Sequence, residues 1–385
     1  MPSIEPNSTG TPQANDPASL ARLFGDADDL LPLWIAEPYV DLAPTVKAAL
    51  TDRATAGWYG YETRPDALLE VFWEWMQSRH GWDGTGLQVT ISPSIGTSIG
   101  VLMEMLTDEG DGVLLQPPVF TDFKPLVTRL HRSVAKNSLL LTSDGYRMDL
   151  DDLEAKASDP STKMMVLCNP HNPVGRVWSA GELGAVARIC AQHDVFVLAD
   201  EIHADIILPS ASFTPFATVA ADTGVRWAAT HGPIKTFGLA GVCDTLIVTD
   251  DGDLTDQLRK RSSQLHLTRN NVFGVAAFEA GYRSGGVWLD GFIGQLTENY
   301  RTLRESLPNG IELIEPDGTY LAWLDFRDLG MDVPELSRWL PNEAGLALSP
   351  GHWFGREGAG FARMTVAAPS DVITEAARRL TAATH

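Results

Sequence analysis

The chain has 385 residues, of which 44% are apolar and 21% charged, a composition typical of a folded protein with more than one core. Its formal net charge of −21 argues against nucleic acid or an anionic membrane surface as a partner. Cys168, Cys190 and Cys243 are widely spaced and form no CxxC pair, which favours reduced thiols over disulfides or a metal site. No apolar run approaches the roughly 20 residues that span a bilayer, and residues 1–19 form a polar, loose arm without a signal-peptide pattern, so we expect a cytoplasmic protein.

Short apolar runs begin to alternate with helical stretches at about residue 88. An amphipathic helix is predicted over 180–192, because its apolar residues recur at helical spacing. Runs rich in apolar and β-branched residues predict strands at 113–116, 164–168, 195–199, 226–230 and 245–249. Strands separated by helices indicate an α/β fold with a mostly parallel, doubly wound sheet.

The pattern changes after about residue 265. A long helical stretch over 270–304 precedes apolar runs that predict strands at 321–325 and 361–366, which together indicate a smaller α+β domain. We therefore predict three regions, which are a segment 1–50 that packs with the small domain, a large domain over 51–265 and the small domain over 266–385.

An amide, a carboxylate and an amine follow three of the predicted strands. Asn172 comes after the run 164–168, Asp200 directly follows 195–199, and Lys235 follows 226–230. Because ligands bind at the carboxyl ends of the strands in such sheets, these side chains are expected to meet in one crevice. The set suits pyridoxal 5′-phosphate (PLP), which needs an amine for a Schiff base, a carboxylate beside its ring nitrogen and donors around its phenolic oxygen.

Several motifs, taken together, resemble a known family. They are the stretches 31–36, 58–61, 110–118, 168–177, 200–205, 318–325 and 361–363. Their order and spacing resemble PLP-dependent enzymes of the aspartate-aminotransferase fold (fold type I), and within that fold the MalY/PatB-type cystathionine β-lyases, or C–S lyases. The resemblance implies a large domain with a mostly parallel seven-stranded sheet between helices, and a smaller α+β domain.

The resemblance also implies roles for the residues of the crevice. Lys235 matches the lysine that forms the Schiff base and moves the substrate proton, and Asp200 matches the carboxylate beside the ring nitrogen. Asn172 matches the amide that binds the phenolic oxygen. Arg363 matches the arginine that holds the α-carboxylate of a small amino-acid substrate. No metal is implied.

Further residues match the family while a structural role stays open for each. His203 stands where aminotransferases usually have Tyr and the lyase branch has His, so it favours a lyase, with a buried core histidine as the alternative. Phe120 matches the aromatic that stacks on the cofactor ring, and simple core packing is its alternative. Tyr61 matches a tyrosine that reaches the phosphate of the neighbouring subunit, which implies a homodimer. The residues whose backbone amides would face the phosphate at a helix start are Ile95, Gly96 and Thr97.

The chain departs from the family pattern around the cofactor phosphate. Relatives usually carry hydroxyl side chains at the positions of Gly232 and Ile234, and an arginine at the position of Cys243. Each missing charge-assisted hydrogen bond costs on the order of 1.5–3 kcal/mol, so we expect PLP to be held more weakly than in relatives. Glu37 and the residues 38–40 also differ near the substrate entrance. These changes indicate an unusual substrate or reaction in specialised metabolism, and neutral drift in a standard lyase is the alternative.

The leading function implied by the resemblance is cleavage of an S-substituted cysteine, a cysteine S-conjugate, to a thiol, pyruvate and ammonia. The same residues would serve an aminotransferase, or decarboxylative oxidative deamination of a similar S-conjugate, because the orientation of the substrate decides which bond breaks. A PLP-fold regulator is the non-enzymatic alternative. Such regulators carry a DNA-binding segment, for which residues 1–19 leave no room and which the net charge opposes.

Overall fold

The computed structural model describes residues 12–27, 29–267 and 270–384. Residues 1–11 of the predicted arm therefore lie outside the described residues. The prediction of a loose arm is wrong for residues 17–19, because they begin the helix Pro17–Phe24. The Asp16 carboxylate caps the first turn of this helix, 2.8 Å from the Ser19 amide.

The helices of the described residues, numbered in chain order, are α1 (Pro17–Phe24), α2 (Pro44–Thr55), α3 (Ala67–His80), α4 (Ile95–Leu106), α5 (Phe123–Arg129), α6 (Leu150–Ala157), α7 (Ala180–Gln192), α8 (Phe216–Ala220), α9 (Pro233–Thr236), α10 (Gly252–Gln264), α11 (Val272–Ser284), α12 (Gly286–Ser306), α13 (Val333–Asn342) and α14 (Ser370–Ala383). The strands are β1 (Leu31–Pro32), β2 (Gln88–Ser92), β3 (Gly112–Leu115), β4 (Ser133–Lys136), β5 (Leu140–Thr142), β6 (Gly145–Arg147), β7 (Thr162–Cys168), β8 (Phe196–Asp200), β9 (Trp227–His231), β10 (Thr245–Thr249), β11 (Glu312–Ile314), β12 (Leu321–Asp325), β13 (Leu346–Ala347), β14 (Ser349–Pro350) and β15 (Phe361–Thr365).

A seven-stranded sheet lies within residues 88–249, and its strands follow the order β2-β10-β9-β8-β7-β3-β4. β10 runs antiparallel to both of its neighbours, and the other pairs of strands are parallel. The predicted mostly parallel sheet is therefore confirmed, and α7 begins and ends where the apolar spacing predicts. The two edge strands, β2 and β4, were not predicted as separate strands, because their apolar runs are short and interrupted by polar residues.

Alternate residues of each central strand face two separate hydrophobic clusters. In β8, Val197 and Ala199 pack with the cluster that includes α7, whereas Phe196 and Leu198 pack with the cluster that includes α4 and α10. A strand covered on both faces has to be apolar throughout, which explains the uninterrupted runs in the sequence. Asp200 continues the Phe196 and Leu198 side, so its carboxylate lies on the face covered by α4.

A four-stranded antiparallel sheet within residues 312–365, in the order β11-β12-β15-β14, forms the second layer, with α12 and α14 in contact with each other beside it. β1 pairs with β13 in parallel, which joins the N-terminal segment to this part of the chain. The boundaries near residues 50 and 265 stay a prediction.

The predicted helical stretch over 270–304 is two helices, α11 and α12, separated at Gly285. A Cβ atom at Gly285 would lie 2.4 Å from the Phe237 ring, so only glycine allows this aromatic side chain to pack against the junction. Two consecutive glycines, Gly285 and Gly286, also lower the local helix propensity.

Among the described residues, no helix is long and apolar enough to cross a membrane. The same residues contain no group of three or more His, Cys, Asp or Glu side chains that could hold a metal ion. The cytoplasmic location stays a prediction.

Leu198 in β8 is fully buried, so the variant Leu198→Ala is expected to lower the free energy of unfolding by about 2–5 kcal/mol through lost burial and a residual cavity. Leu265→Ala, at a side chain that is 42% exposed, is the matched control and should change it by less than about 1 kcal/mol. Chemical unfolding followed by far-UV circular dichroism measures both. Equal losses in the two variants would contradict the placement of β8 at the centre of the core.

Candidate active site

Lys235 lies in the one-turn helix α9, which follows directly on β9. Its ammonium group donates a hydrogen bond to the Ala36 carbonyl at 2.7 Å, so the N-terminal segment forms one wall around it. Burial and the nearby charge of Arg363 together lower the pKa of Lys235 to about 8, although the charges of Glu37 and Asp200 oppose this. Lys235 is therefore an amine that loses its proton near neutral pH.

Asp200 is the last residue of β8, and its carboxylate is buried. One carboxylate oxygen accepts hydrogen bonds from the Ile202 amide at 3.3 Å and the Thr230 hydroxyl at 3.2 Å. Burial raises the pKa of Asp200 to about 6, although these hydrogen bonds and the charge of Lys235 oppose the rise. At pH 7 and above the carboxylate is mostly ionised, so it can stabilise a cation placed in the crevice.

Arg363 in β15 reaches across from the smaller sheet into the same region, and its guanidinium is buried. One Nη atom donates to the Asn172 side-chain oxygen at 3.1 Å, and the other donates to the Trp34 carbonyl at 2.7 Å and the Ser349 hydroxyl at 3.2 Å. Its Nε atom has no hydrogen-bond partner among the described residues. Burial lowers the pKa of Arg363 to about 10. This buried cation faces no carboxylate within ion-pair distance in the described chain, which suits an anionic ligand.

His203 lies in the turn after β8, and its ring packs edge-on against Tyr320 with 5.6 Å between the ring centroids. Burial lowers the pKa of His203 well below its ordinary value, and the positive charges of Lys235 and Arg363 add to this effect. The imidazole is therefore neutral. Its Nδ1 atom is buried and has no hydrogen-bond partner within the described residues, so it is available to a ligand.

A single cavity of 430 Å³ is lined by most of the residues that the sequence selects. They are Ile95, Gly96, Phe120, Asn172, Asp200, His203 and Lys235. Ser94 also lines it and caps α4 by accepting a hydrogen bond from the Thr97 amide at 3.1 Å. The Thr97 amide is thus engaged by this cap, whereas Gly96 contributes to the cavity wall.

Tyr61 lies apart from this cavity. It is 90% exposed and lines a different surface cavity together with Tyr59 and Arg64. Within one chain the structure therefore does not bring Tyr61 to Lys235, and its contact with a neighbouring subunit stays a prediction.

The departures around the expected phosphate position have a structural basis. Gly232 adopts a φ of +158°, and a Cβ atom there would lie 3.3 Å from the Thr245 Cα, so a larger residue would require a backbone shift. Ile234 lines the cavity with an apolar side chain where relatives carry a hydroxyl. Arg64, which lines the separate cavity beside Tyr61, is paired with Asp244.

Several residues of the site escaped the sequence analysis. Thr230 reaches Asp200 because the two residues are register partners on β9 and β8, and Tyr320 donates to the Ala36 carbonyl at 3.2 Å. Neither pairing leaves a signal in one sequence. Ser94 could have been found, because a serine just before an apolar helical run is a typical N-cap.

The sequence model of the family described as "Aminotransferase class I and II" matches residues 28–380. The chain therefore belongs to the class I and II aminotransferase family, and the predicted family and fold are confirmed.

Individual proteins similar to this chain include a cystathionine β-lyase, which is a C–S lyase. The cystathionine β-lyase PatB from Bacillus subtilis is 36% identical over 374 residues, which cover 94% of each chain. The protein MalY from Escherichia coli is 30% identical over 355 residues, covering 91% of this chain and 90% of MalY. The crystal structure of cystalysin from Treponema denticola, which contains a pyridoxal 5′-phosphate cofactor, has a TM-score of 0.88 at 28% identity and covers 95% of this chain and 94% of cystalysin.

The lowered pKa of Lys235 has a direct chemical consequence. In protein without added cofactor, the rate at which acetic anhydride modifies Lys235 should rise with a midpoint near pH 8 instead of the ordinary 10.5. Arg363→Gln should move this midpoint upward, because a neighbouring positive charge is removed, whereas Arg356→Gln, at an exposed arginine, should leave it unchanged. Peptide mass spectrometry across a pH series measures the rate. A midpoint near 10.5 in the wild type would show that Lys235 is not desolvated.

Proposed function

We propose that this chain is a PLP-dependent C–S β-lyase that cleaves a cysteine S-conjugate to a thiol, pyruvate and ammonia, with one water consumed. The observation that carries the proposal is the convergence of Lys235, Asp200, Asn172 and His203 on one cavity, with Arg363 bound to Asn172 at its edge. The likeness to PatB and to PLP-bound cystalysin supports it.

The residues of the cavity fit PLP by their chemistry. Lys235 supplies an amine, Asp200 an ionised carboxylate, Asn172 an amide, and the start of α4 at Gly96 offers backbone amides to a phosphate. The Nδ1 atom of His203 is a buried polar atom without a partner in the described chain, which a bound ligand would satisfy. When bound, PLP supplies an electron sink that stabilises negative charge at the substrate α-carbon.

Three side chains of the protein would have separate roles in the reaction. Arg363 would hold the substrate α-carboxylate, and its bonds to Asn172, the Trp34 carbonyl and Ser349 fix its orientation. The amine of Lys235 would take the α-proton, because a pKa of about 8 leaves a useful neutral fraction near neutral pH. Asp200 would keep the ring nitrogen protonated, since its carboxylate is mostly ionised at that pH.

We further propose that the active unit is a homodimer in which Tyr61 of one subunit reaches the phosphate of the other. The exposed aromatic residues Trp58, Tyr59 and Tyr61 support this, because adjacent exposed aromatics are typical of an interface.

The transferase and decarboxylating alternatives use the same groups, so the product set separates them. Purified enzyme with S-ethyl-L-cysteine is expected to release pyruvate, ammonia and ethanethiol in equal amounts. Lys235→Ala should lower this rate by about 10³-fold, whereas Lys47→Ala, at an exposed lysine, should not change it. Glutamate formed from 2-oxoglutarate would favour an aminotransferase, and CO2 with oxygen uptake would favour decarboxylative deamination; either as the main outcome would overturn the lyase.

The cavity wall that would face the cofactor phosphate carries the apolar Ile234 instead of a hydroxyl group, so cofactor binding should be weak. The wild type is expected to lose PLP on dialysis, and Ile234→Ser to bind PLP about tenfold more tightly by adding a donor on the cavity wall. Ile234→Val is the control and adds no donor. Gly232→Ser should not help, because its Cβ atom would press on the Thr245 backbone. Titration of apoenzyme with PLP measures the affinity. Retention of PLP by the wild type through dialysis would contradict the weak anchorage.

A further inference from the structure

A buried carboxylate that the proposed chemistry does not use lies behind Lys235. Asp205 stands in the turn that follows β8, five residues after Asp200, and is 6% exposed. Within the described residues its side chain accepts hydrogen bonds from the Thr236 hydroxyl at 2.7 Å, the Trp75 indole at 2.9 Å and the His80 ring at 2.8 Å. Burying a carboxylate is costly, and such a group is usually retained only where its donors are fixed.

The three donors come from two different helices. Trp75 and His80 belong to α3, and Thr236 is the residue directly after Lys235 in α9. Although burial alone would raise the pKa of Asp205, the hydrogen bonds from these side chains hold it below its ordinary value. Asp205 is therefore an ionised acceptor that joins α3, α9 and the turn that follows Asp200 and contains His203.

α9 is held by the bond from Lys235 to the Ala36 carbonyl, by backbone bonds from Phe237 and Leu239, and by the bond from Thr236 to Asp205. It is a single turn of four residues, and Gly232 at its start provides no side-chain cap. Gly232 and Ile234 also lack the hydroxyl groups through which this loop could bind a phosphate. The Thr236 hydroxyl is the side chain of α9 that bonds to a buried charge, and the following Phe237 packs against Trp75 at 5.7 Å between ring centroids.

We infer that Asp205 is a positioning residue that acts through Thr236. It holds the Lys235 amine at the cavity in a fixed position relative to the Asp200 carboxylate. The inference rests on the proposed role of Lys235 in binding PLP. Because Asp205 lies in the turn that directly follows Asp200, the contact fixes the amine relative to the carboxylate with which it would share the cofactor. Neither Asp205 nor Thr236 lines the cavity, so the effect on PLP is indirect.

The test compares two buried threonines whose hydroxyl groups each donate a hydrogen bond of 2.7 Å. Thr236→Val removes the bond to Asp205, and Thr249→Val removes a bond to the Trp227 carbonyl at the opposite end of β9. Both side chains are 1% exposed, and thermal unfolding of each variant measures the stability that it loses. Only Thr236→Val is expected to weaken PLP binding, by about tenfold, and to lower the visible absorbance of the Lys235-bound cofactor at saturating PLP. Thr236→Ser should restore both.

The measurements are PLP titration, the visible spectrum at saturation and thermal unfolding without cofactor. If Thr236→Val binds PLP as tightly as Thr249→Val and gives the wild-type spectrum, the positioning role is overturned; the same conclusion follows if Thr236→Ser restores stability but not PLP affinity. The proposed function fails separately, if wild type and Lys235→Ala bind PLP with the same spectrum.

Discussion

The site depends on the cost of burying charge at the carboxyl end of a parallel sheet. Lys235, Asp200 and Arg363 are all withdrawn from water, and burial shifts each pKa toward the neutral form, to about 8, about 6 and about 10. The three groups influence one another through space, yet within the described residues no ion pair joins any two of them. The crevice therefore holds charges that a ligand with an anionic and a cationic end would satisfy better than the protein does alone.

The scaffold explains why these groups meet. The alternation of side chains along β8 places Asp200 on the face of α4, and the short path from β9 into α9 brings Lys235 to the same edge. Arg363 arrives from the smaller sheet, 191 residues away from its partner Asn172 in sequence. Both sheets thus contribute to the site, and the segment around Trp34 and Ala36 bonds to Arg363 and to Lys235.

Much of this could be predicted from the sequence, because strands that are buried on both faces leave continuous apolar runs and strand ends mark the crevice. Asn172, Asp200 and Lys235 were found in this way. Register and long-range side-chain contacts leave no local pattern in the sequence. The sequence therefore could not predict the antiparallel direction of β10, the pairing of Thr230 with Asp200 or the bonds to Asp205. The break at Gly285 depends on the distant Phe237 and was missed for the same reason.

In the proposed enzyme, Lys235 is the amine that binds the cofactor. The most direct test of this role is borohydride reduction of the protein after incubation with PLP, followed by peptide mapping. We expect a phosphopyridoxyl group on the peptide that contains Lys235 and on no other lysine. A label on a different lysine, or none at saturating PLP, would contradict it.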